Sequence, residues 1–228
     1  MERTELRNQP AYTVAEAARY LKVPAPTLRS WVIPRLRSQR AGSAQSDVLI
    51  NLPQNAPAML SFWNLIECHV LRSLRTQHGV PMGKLRKAVR CAEQEFKVKR
   101  LLLSPELRTE AGALLIERYG QLVDLSASGQ LAIRRMFKEH LNRVEWDENA
   151  FPVRLFASTR GSVSNSDVRT VAISADVAFG RPVLVNGSIT TAAIAKRIDA
   201  GETIDELADD YDLSPQDIES AVLFEHVA

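Results

Sequence analysis

Cysteine and histidine side chains are the first residues that could do chemistry, because thiolate and imidazole both bind zinc and copper. The chain holds two cysteines and four histidines, and the group to consider is Cys68, His69, His78 and Cys91. Cys68 and His69 are adjacent, so on a helix their side chains point about 100° apart. No ligand spacing recurs along the sequence. We therefore predict no metal site and no cofactor, and interpret the cysteines as buried structural residues.

Acidic residues are the second group, and a metal-dependent nuclease site near the C-terminus could be imagined from them. Asp205 and Asp209 share a helical face at i, i+4 spacing, and so do Glu206 and Asp210. Helix capping accounts for part of this acidity, since Thr203 and Glu206 form a capping-box pattern. The sequence has no G-x-S-x-G, phosphate-loop, H-E-x-x-H or G-x-G-x-x-G motif. We predict a binding protein rather than an enzyme, with these acids on a solvated helix surface.

Charge divides the chain into a basic and an acidic part. Residues 1–100 hold 17 Lys and Arg against 7 Asp and Glu, a net charge of +10. Residues 101–228 hold 12 against 20, a net charge of −8, and 181–228 alone carries −7. Affinity for DNA rests largely on Lys and Arg that neutralise phosphates. We therefore expect the basic part to bind DNA and the acidic part to bind something else.

Two short helices position the N-terminal arginines. Thr13 and Glu16 form a capping box that begins a helix over 14–21, and Pro26 suits the first turn of a second helix. Two helices joined by a tight turn indicate a helix-turn-helix. The candidate contacts to bases or phosphates are polar residues of the second helix and the arginines that follow it: Thr27, Arg29, Ser30, Arg35, Arg37 and Arg40.

The next elements fit a winged helix. The β-prone run at 48–52 predicts a short strand, and apolar periodicity predicts helices over 61–77 and 82–96. The second of these carries a basic row, which either contacts the DNA backbone or is a solvated face balanced by nearby glutamates: Lys84, Arg86, Lys87 and Arg90.

The remaining segments predict two further units. Residues 101–157 indicate two short strands around a turn at Gly120, a helix over 129–142 and two more strands. The polar run 158–169 indicates a linker. Extended segments around Gly180 precede three helices with capping signals.

The predicted fold class is thus mainly α with small β elements (α+β). We expect a winged helix-turn-helix at 10–98, a small α+β spacer or dimerisation module at 99–158, and a C-terminal three-helix, helix-turn-helix-like domain at 170–228.

Both ends resemble known families. The run T-V-A-E-A-A-R-Y-L from Thr13, followed by T-L-R-S-W from Thr27, is similar to the winged-helix DNA-binding domain of MerR-type regulators. The run G-R-P-V-L-V-N-G from Gly180, with the helices after it, looks like a small domain of unknown function that commonly occurs in antitoxins encoded beside PIN-like ribonuclease toxins. The combination resembles a long VapB-type antitoxin.

This resemblance implies an antitoxin that neutralises a PIN-like ribonuclease toxin and represses its own promoter. Operator DNA is the expected second partner. A homodimer is also expected, because two copies of the short reading helix on a two-fold DNA site make twice the contacts of one copy. The acidic end suits the basic RNA-binding surface of a ribonuclease. Arg181 could pair with the carboxylates of the toxin active site or with an acid of its own chain. The candidate toxin-binding residues are Arg181, Asp205, Glu206, Asp209 and Asp210.

No segment approaches the roughly 20 apolar residues that a membrane helix needs, and the polar N-terminus lacks the apolar region of a secretion signal. We therefore expect a cytoplasmic protein without a membrane partner. Two other functions stay open. A stand-alone MerR-like regulator would sense a small molecule through its middle module, and operator affinity that shifts with a metabolite would identify it. A DNA-architectural or recombination adaptor is the third class.

Overall fold

The computed structural model describes residues 3–33, 48–75, 82–108, 110–123, 127–157 and 169–226. Within these ranges the chain forms ten α-helices and two small antiparallel sheets, which confirms the α+β class. The helices are α1 Arg3–Arg7, α2 Val14–Tyr20, α3 Ala25–Val32, α4 Phe62–Arg75, α5 Met82–Phe96, α6 Glu110–Val123, α7 Ala127–Leu141, α8 Thr191–Asp199, α9 Ile204–Tyr211 and α10 Pro215–His226. The strands are β1 Tyr12–Thr13, β2 Gln54–Asn55, β3 Ala58–Leu60, β4 Val144–Trp146, β5 Pro152–Phe156, β6 Val171–Ile173 and β7 Val183–Leu184.

The helix-turn-helix begins with the predicted capping box. The Thr13 hydroxyl accepts a hydrogen bond from the Glu16 backbone N–H at 3.2 Å, and the Glu16 carboxylate accepts one from the Thr13 N–H at 2.8 Å. Pro26 lies in the first turn of α3, where its missing N–H costs nothing. Leu28 and Trp31 are buried against α2 and the core behind it. Local capping and one apolar stripe therefore explain both helices.

The strand predicted at 48–52 is wrong. Strands β2 and β3 form further along the chain, and β1 pairs with the other edge of β3, so the order is β1-β3-β2. Ile50 is fully buried in the core without joining a ladder. A β-prone composition is only a weak preference. Ala56 and Pro57 form the two-residue turn between β2 and β3, and this turn fixes where the two strands pair.

The helix predicted at 61–77 has Ser61 as its N-cap, and its first helical residue is Phe62. The Ser61 hydroxyl accepts from the Asn64 N–H at 3.2 Å, and the Asn64 side-chain carbonyl accepts from the Ser61 N–H at 3.1 Å. Helix α4 follows from Phe62, and its end beyond Arg75 lies outside the described residues. Helix α5 confirms the prediction at 82–96.

The two strands predicted around Gly120 are wrong, because α6 runs through Gly120 to Val123. The last two residues of the second predicted strand lie outside the described residues. Leu115 and Ile116 are buried, whereas Glu117 and Arg118 are exposed, which is the spacing of a helix with one packed face. Helix α6 packs on α5 and α7. This packing outweighs the lower helix propensity of Gly120. The helix predicted at 129–142 and the two strands after it are confirmed as α7, β4 and β5.

The second sheet has the order β4-β5-β6-β7, with every pair antiparallel. Val144 lies opposite Leu155, and Ala172 lies opposite Val183. Strands β4 and β5 come before the polar run 158–169, whereas β6 and β7 come after it. The sheet therefore unites segments that the sequence analysis assigns to the middle module and to the C-terminal domain. The limits of these units stay a prediction.

The three predicted C-terminal helices form, and the capping residues Thr203 and Ser214 lie directly before α9 and α10. Gly201 follows α8 with a φ of +101°, a left-handed conformation that glycine adopts readily. Thr203 and Glu206 form the capping box of α9, with bonds of 2.8 and 3.3 Å. The Ser214 hydroxyl accepts from the Asp217 N–H at 3.1 Å and caps α10. Helix α10 then packs against both α8 and α9.

Helix α10 also packs against the helix-turn-helix at the other end of the chain. The rings of Tyr20 and Phe224 lie 6.3 Å apart. Arg19 forms an ion pair with Glu225. The Lys22 ammonium donates to the Phe224 carbonyl and lies 4.7 Å from its ring centroid. The buried apolar residues of both ends accordingly belong to one hydrophobic core.

Candidate functional site

Helix α3 presents one arginine to the outside. The Arg29 side chain is exposed and makes no hydrogen bond or ion pair within the part of the chain that the structure describes. Thr27 and Ser30 are half-buried, and the Ser30 hydroxyl donates to the Thr27 carbonyl at 2.7 Å. Of the three predicted contact residues in α3, Arg29 is therefore the one whose donors are available to a ligand.

The other three predicted DNA contacts cannot be placed. They lie outside the described residues: Arg35, Arg37 and Arg40.

The basic row of α5 lies beside α3. The Arg86 guanidinium donates to the Ser30 carbonyl at 3.4 Å, and its Nε is buried without a hydrogen-bond partner among the described residues. The exposed members of the row are Lys84, Lys87 and Arg90. Glu93, one of the glutamates expected to balance the row, instead accepts from the Leu101 N–H at 3.1 Å.

The same helix forms one wall of an open hollow of about 520 Å³. Three of its six lining residues are cationic, namely Arg86, Lys87 and Arg90, and the others are Gly83, Cys91 and Gln94. A hollow of this charge beside α3 favours an anionic ligand, and a phosphate of the DNA backbone has that chemistry.

Cys68, His69 and His140 are buried in the interior of the chain. Cys68 is buried, and burial raises the pKa of its thiol well above the ordinary value. The imidazole of His69 lies 5.1 Å from that of His140, and its Nε2 is 3.0 Å from the His140 carbonyl. Cys91 is half-buried, and His78 lies outside the described residues. No group of three potential ligands is arranged to hold a metal ion in the described ranges.

The three residues that end at Gly180, the first residue of the Gly-Arg-Pro motif, form a tight left-handed turn. Ala178, Phe179 and Gly180 have successive φ values of +47°, +54° and +78°. The buried Tyr12 hydroxyl donates to the Gly180 carbonyl at 3.0 Å. A Cβ atom at Gly180 would lie 2.3 Å from the Tyr12 Oη, so only glycine fits against the tyrosine. The turn is thus joined to the first strand of the helix-turn-helix unit.

Two side chains of this turn, Phe179 and Arg181, are exposed to solvent. The Arg181 guanidinium is exposed and has no hydrogen bond or ion pair with another described residue, so the internal acid partner considered above is not seen there. Phe179 is 96% exposed. Sequence reasoning singled out Arg181 and missed Phe179, because a phenylalanine is ordinarily assigned to the core.

The acidic surface of α9 is only partly available. Glu206 accepts hydrogen bonds from the backbone and hydroxyl of Thr203, and these lower its pKa. Asp210 pairs with Arg197 at 2.5 Å. Asp205 and Asp209 are exposed and form no hydrogen bond or ion pair within the described ranges. Two of the four predicted acids are therefore held by their own chain, and two face solvent.

Two segments match known protein families. Residues 10–89 match the family described as "Putative DNA-binding HTH domain". Residues 171–224 match the family described as "Protein of unknown function (DUF433)". The first match covers the capping box, α3 and part of the basic row, and the second covers the left-handed turn and all three C-terminal helices.

The whole chain is similar to proteins of Mycobacterium tuberculosis. It is 26% identical over 240 residues to the protein named "Putative antitoxin VapB45", a match that spans 96% of this chain and 95% of that protein. It is 23% identical over 235 residues to the uncharacterised protein Rv2308, spanning 97% and 92%. The crystal structure of Rv2018 shares the fold with a TM-score of 0.67 at 22% identity, over 94% of this chain and 98% of that one.

These comparisons indicate an N-terminal helix-turn-helix-type DNA-binding domain and confirm the likeness to a VapB antitoxin. They fit an antitoxin and repressor, favour a binding protein over an enzyme, and do not favour the stand-alone regulator. In the parts of the chain that the structure describes, every helix is too short or too polar to span a bilayer.

Proposed function

We propose that this chain is the antitoxin of a type II toxin–antitoxin pair, which neutralises a PIN-like ribonuclease toxin and represses its own promoter. The observation that carries the proposal is the similarity to the VapB45 protein over nearly the full length of both chains. The division of charge supports it, since the basic part contains the helix-turn-helix and the acidic part contains the second family match.

Operator binding is assigned to the basic part. Helix α3 would enter the major groove with Arg29, and the β2–β3 hairpin would act as the wing of a MerR-like winged helix. The basic row of α5 would contact the DNA backbone beside α3, a position supported by the hydrogen bond from Arg86 to Ser30. Two copies of the chain would bind a two-fold operator.

Toxin binding is assigned to the acidic part. A ribonuclease binds RNA along a basic path, and the net charge of −7 over 181–228 complements such a surface. The exposed carboxylates of Asp205 and Asp209 are available for this contact. Arg181, which has no ion-pair partner in the described ranges, would pair with carboxylates of the toxin active site. Inhibition would follow because the antitoxin occludes the path of the RNA.

Co-expression with the product of the neighbouring gene tests the proposal. We expect a stable complex, loss of ribonuclease activity in that complex, and a mobility shift of the DNA upstream of the pair. Point variants are preferable to a truncation, because β6 and β7 belong to a sheet shared with β4 and β5. Failure of the neighbouring product to bind the intact chain would contradict the antitoxin function.

Charge reversal at α9 tests the acidic surface. The double variant Asp205→Lys/Asp209→Lys should weaken the complex by about tenfold or more at low salt, because it places four units of charge change opposite a basic partner. The control for charge reversal elsewhere is Glu148→Lys, which changes two charge units at an exposed acid in the turn between β4 and β5. Equal affinities for the double variant and the control would exclude α9 from the interface.

A further inference from the structure

The turn at 177–182 combines three features that the structure leaves unexplained. Two non-glycine residues, Ala178 and Phe179, adopt left-handed backbone conformations in succession. The phenylalanine ring is 96% exposed. The next exposed side chain, Arg181, has no hydrogen bond or ion pair within the described residues.

The turn is rigid although its tip is exposed. The Gly180 N–H donates to the Val177 carbonyl at 2.9 Å, and the Arg181 N–H donates to the Ala178 carbonyl at 3.1 Å. The buried Tyr12 hydroxyl holds the Gly180 carbonyl from the far side. Strained conformations of this kind persist only where the surroundings over-determine them, and they cluster at functional sites. The Phe179 ring is consequently presented in a fixed direction at the expense of local stability.

A lone exposed apolar side chain is common on protein surfaces and needs no explanation. Phe179 differs because it lies on a strained, hydrogen-bonded turn two residues from Arg181, which pairs with no other residue in the described ranges. Aromatic residues and arginine dominate the energetic centres of protein interfaces. A rigid pair of these two types loses little conformational entropy when it binds.

We propose that Phe179 and Arg181 form a preformed anchor for the nuclease toxin, in which the ring enters an apolar pocket beside the carboxylate that receives Arg181. This inference rests on the proposed function and adds the apolar half of the contact. The partner that fits has carboxylates within a basic surface, since Arg181 needs an acid and the surrounding acidic segment needs a base. A metal-dependent ribonuclease, with an acidic centre in a basic RNA path, has that arrangement.

A second copy of this chain fits the anchor less well. A two-fold contact through the turn would bring two segments of net charge −7 together. DNA is likewise disfavoured, because its phosphates would meet the same acidic segment.

The experiment measures the affinity of the full-length chain for the purified neighbouring gene product. Phe179→Asn removes the ring while asparagine tolerates the left-handed conformation, so its melting temperature should be no lower than that of the wild type. We expect Phe179→Asn to lose ~10- to 100-fold in affinity, Arg181→Ala to lose a similar factor, and Phe179→Tyr to bind like the wild type. The control is Phe151→Ala, which removes a ring that is 39% exposed on another loop and stacked on Trp63 at 5.7 Å. Its affinity should stay unchanged even if its melting temperature falls.

Each outcome decides between stated alternatives. If the wild type binds and Phe179→Asn binds equally well, the anchor is wrong while the antitoxin function stands. If the wild type does not bind, the antitoxin function fails and the anchor loses its occupant. If Phe151→Ala weakens binding as much as Phe179→Asn does, the effect is not specific to the turn. If light scattering shows that Phe179→Asn alone converts a dimer to a monomer, the turn is a self-association contact and the proposed occupant is wrong.

Discussion

Arg29 is the residue on which DNA recognition can be tested most directly. Its side chain is exposed on α3 and forms no hydrogen bond with another described residue. An arginine that contacts a guanine edge or a phosphate contributes about 1–3 kcal/mol. Arg29→Ala should therefore weaken operator binding about tenfold or more without changing the melting temperature. Fluorescence anisotropy at fixed salt, with the DNA upstream of the gene, measures the effect.

The control for Arg29 is Arg134→Ala, which removes an exposed arginine of α7. A loss of affinity that both variants share would reflect net charge alone. Unchanged binding of Arg29→Ala would remove that residue from the interface.

Gly180 is the residue whose replacement should be most costly for a purely steric reason. An alanine Cβ would lie 2.3 Å from the Tyr12 Oη, at a φ of +78°. We expect Gly180→Ala to lower the free energy of unfolding by about 1–3 kcal/mol. Chemical denaturation measures this change. Adding Tyr12→Phe should recover part of the loss, because it removes the closest atom.

A matched glycine is available in α5. A Cβ at Gly83 would meet nothing within 4 Å, so Gly83→Ala should stabilise the protein by about 0.5–1 kcal/mol through helix propensity. If Gly180→Ala were as harmless as Gly83→Ala, the close contact between the turn and Tyr12 would be wrong.

At the scale of elements, the interface between α4 and α7 contains a titratable residue that burial keeps neutral. His69 is buried in α4, and burial lowers its pKa well below the ordinary value, with His140 and the arginines at 72 and 143 adding to the shift. In the unfolded chain the same imidazole takes up a proton below about pH 6.5. Since the unfolded state then binds more protons than the folded state, stability falls as the pH falls.

We expect this histidine to cost up to about 1.4 kcal/mol per pH unit below pH 6.5. The free energies of unfolding at pH 7.5 and 5.5 should therefore differ less in His69→Gln than in the wild type. His226→Gln provides the control, because His226 is exposed at the end of α10. An unchanged pH dependence in His69→Gln would show that His69 is not the group responsible.

At the scale of the whole molecule, the two ends of the chain share an ion pair, a contact between aromatic rings and a hydrophobic core. A chain that ends at residue 169 would lose β6 and β7 from the second sheet and would uncover Tyr20, which packs on Phe224. We expect such a truncation to lower the melting temperature and to weaken operator binding as well as toxin binding. Circular dichroism during heating measures the first effect. A cooperative transition at the wild-type temperature would instead support an independent C-terminal domain at 170–228.

The sequence determined those elements whose signals lie within a few residues. Thr13 with Glu16, Thr203 with Glu206, and Ser214 with Asp217 each place a helix start, because a cap satisfies backbone groups one turn away. The charge division and the choice of Arg29 and Arg181 as candidate contacts also follow from residue types that can be read without coordinates. That neither arginine pairs with another described residue follows only from the folded structure.

Tertiary contacts decided the rest, since they join residues far apart in the chain. The segment around Gly120 could be read as strands or helix, and packing on α5 and α7 selects the helix. The exposure of Phe179 depends on the hydrogen bond from Tyr12 to Gly180, between residues 168 positions apart. The packing of α10 against the helix-turn-helix likewise depends on contacts between residues far apart in the chain. A local sequence pattern does not show which distant part of the chain covers a given side chain. Only the tertiary structure identifies the residues that pack against it.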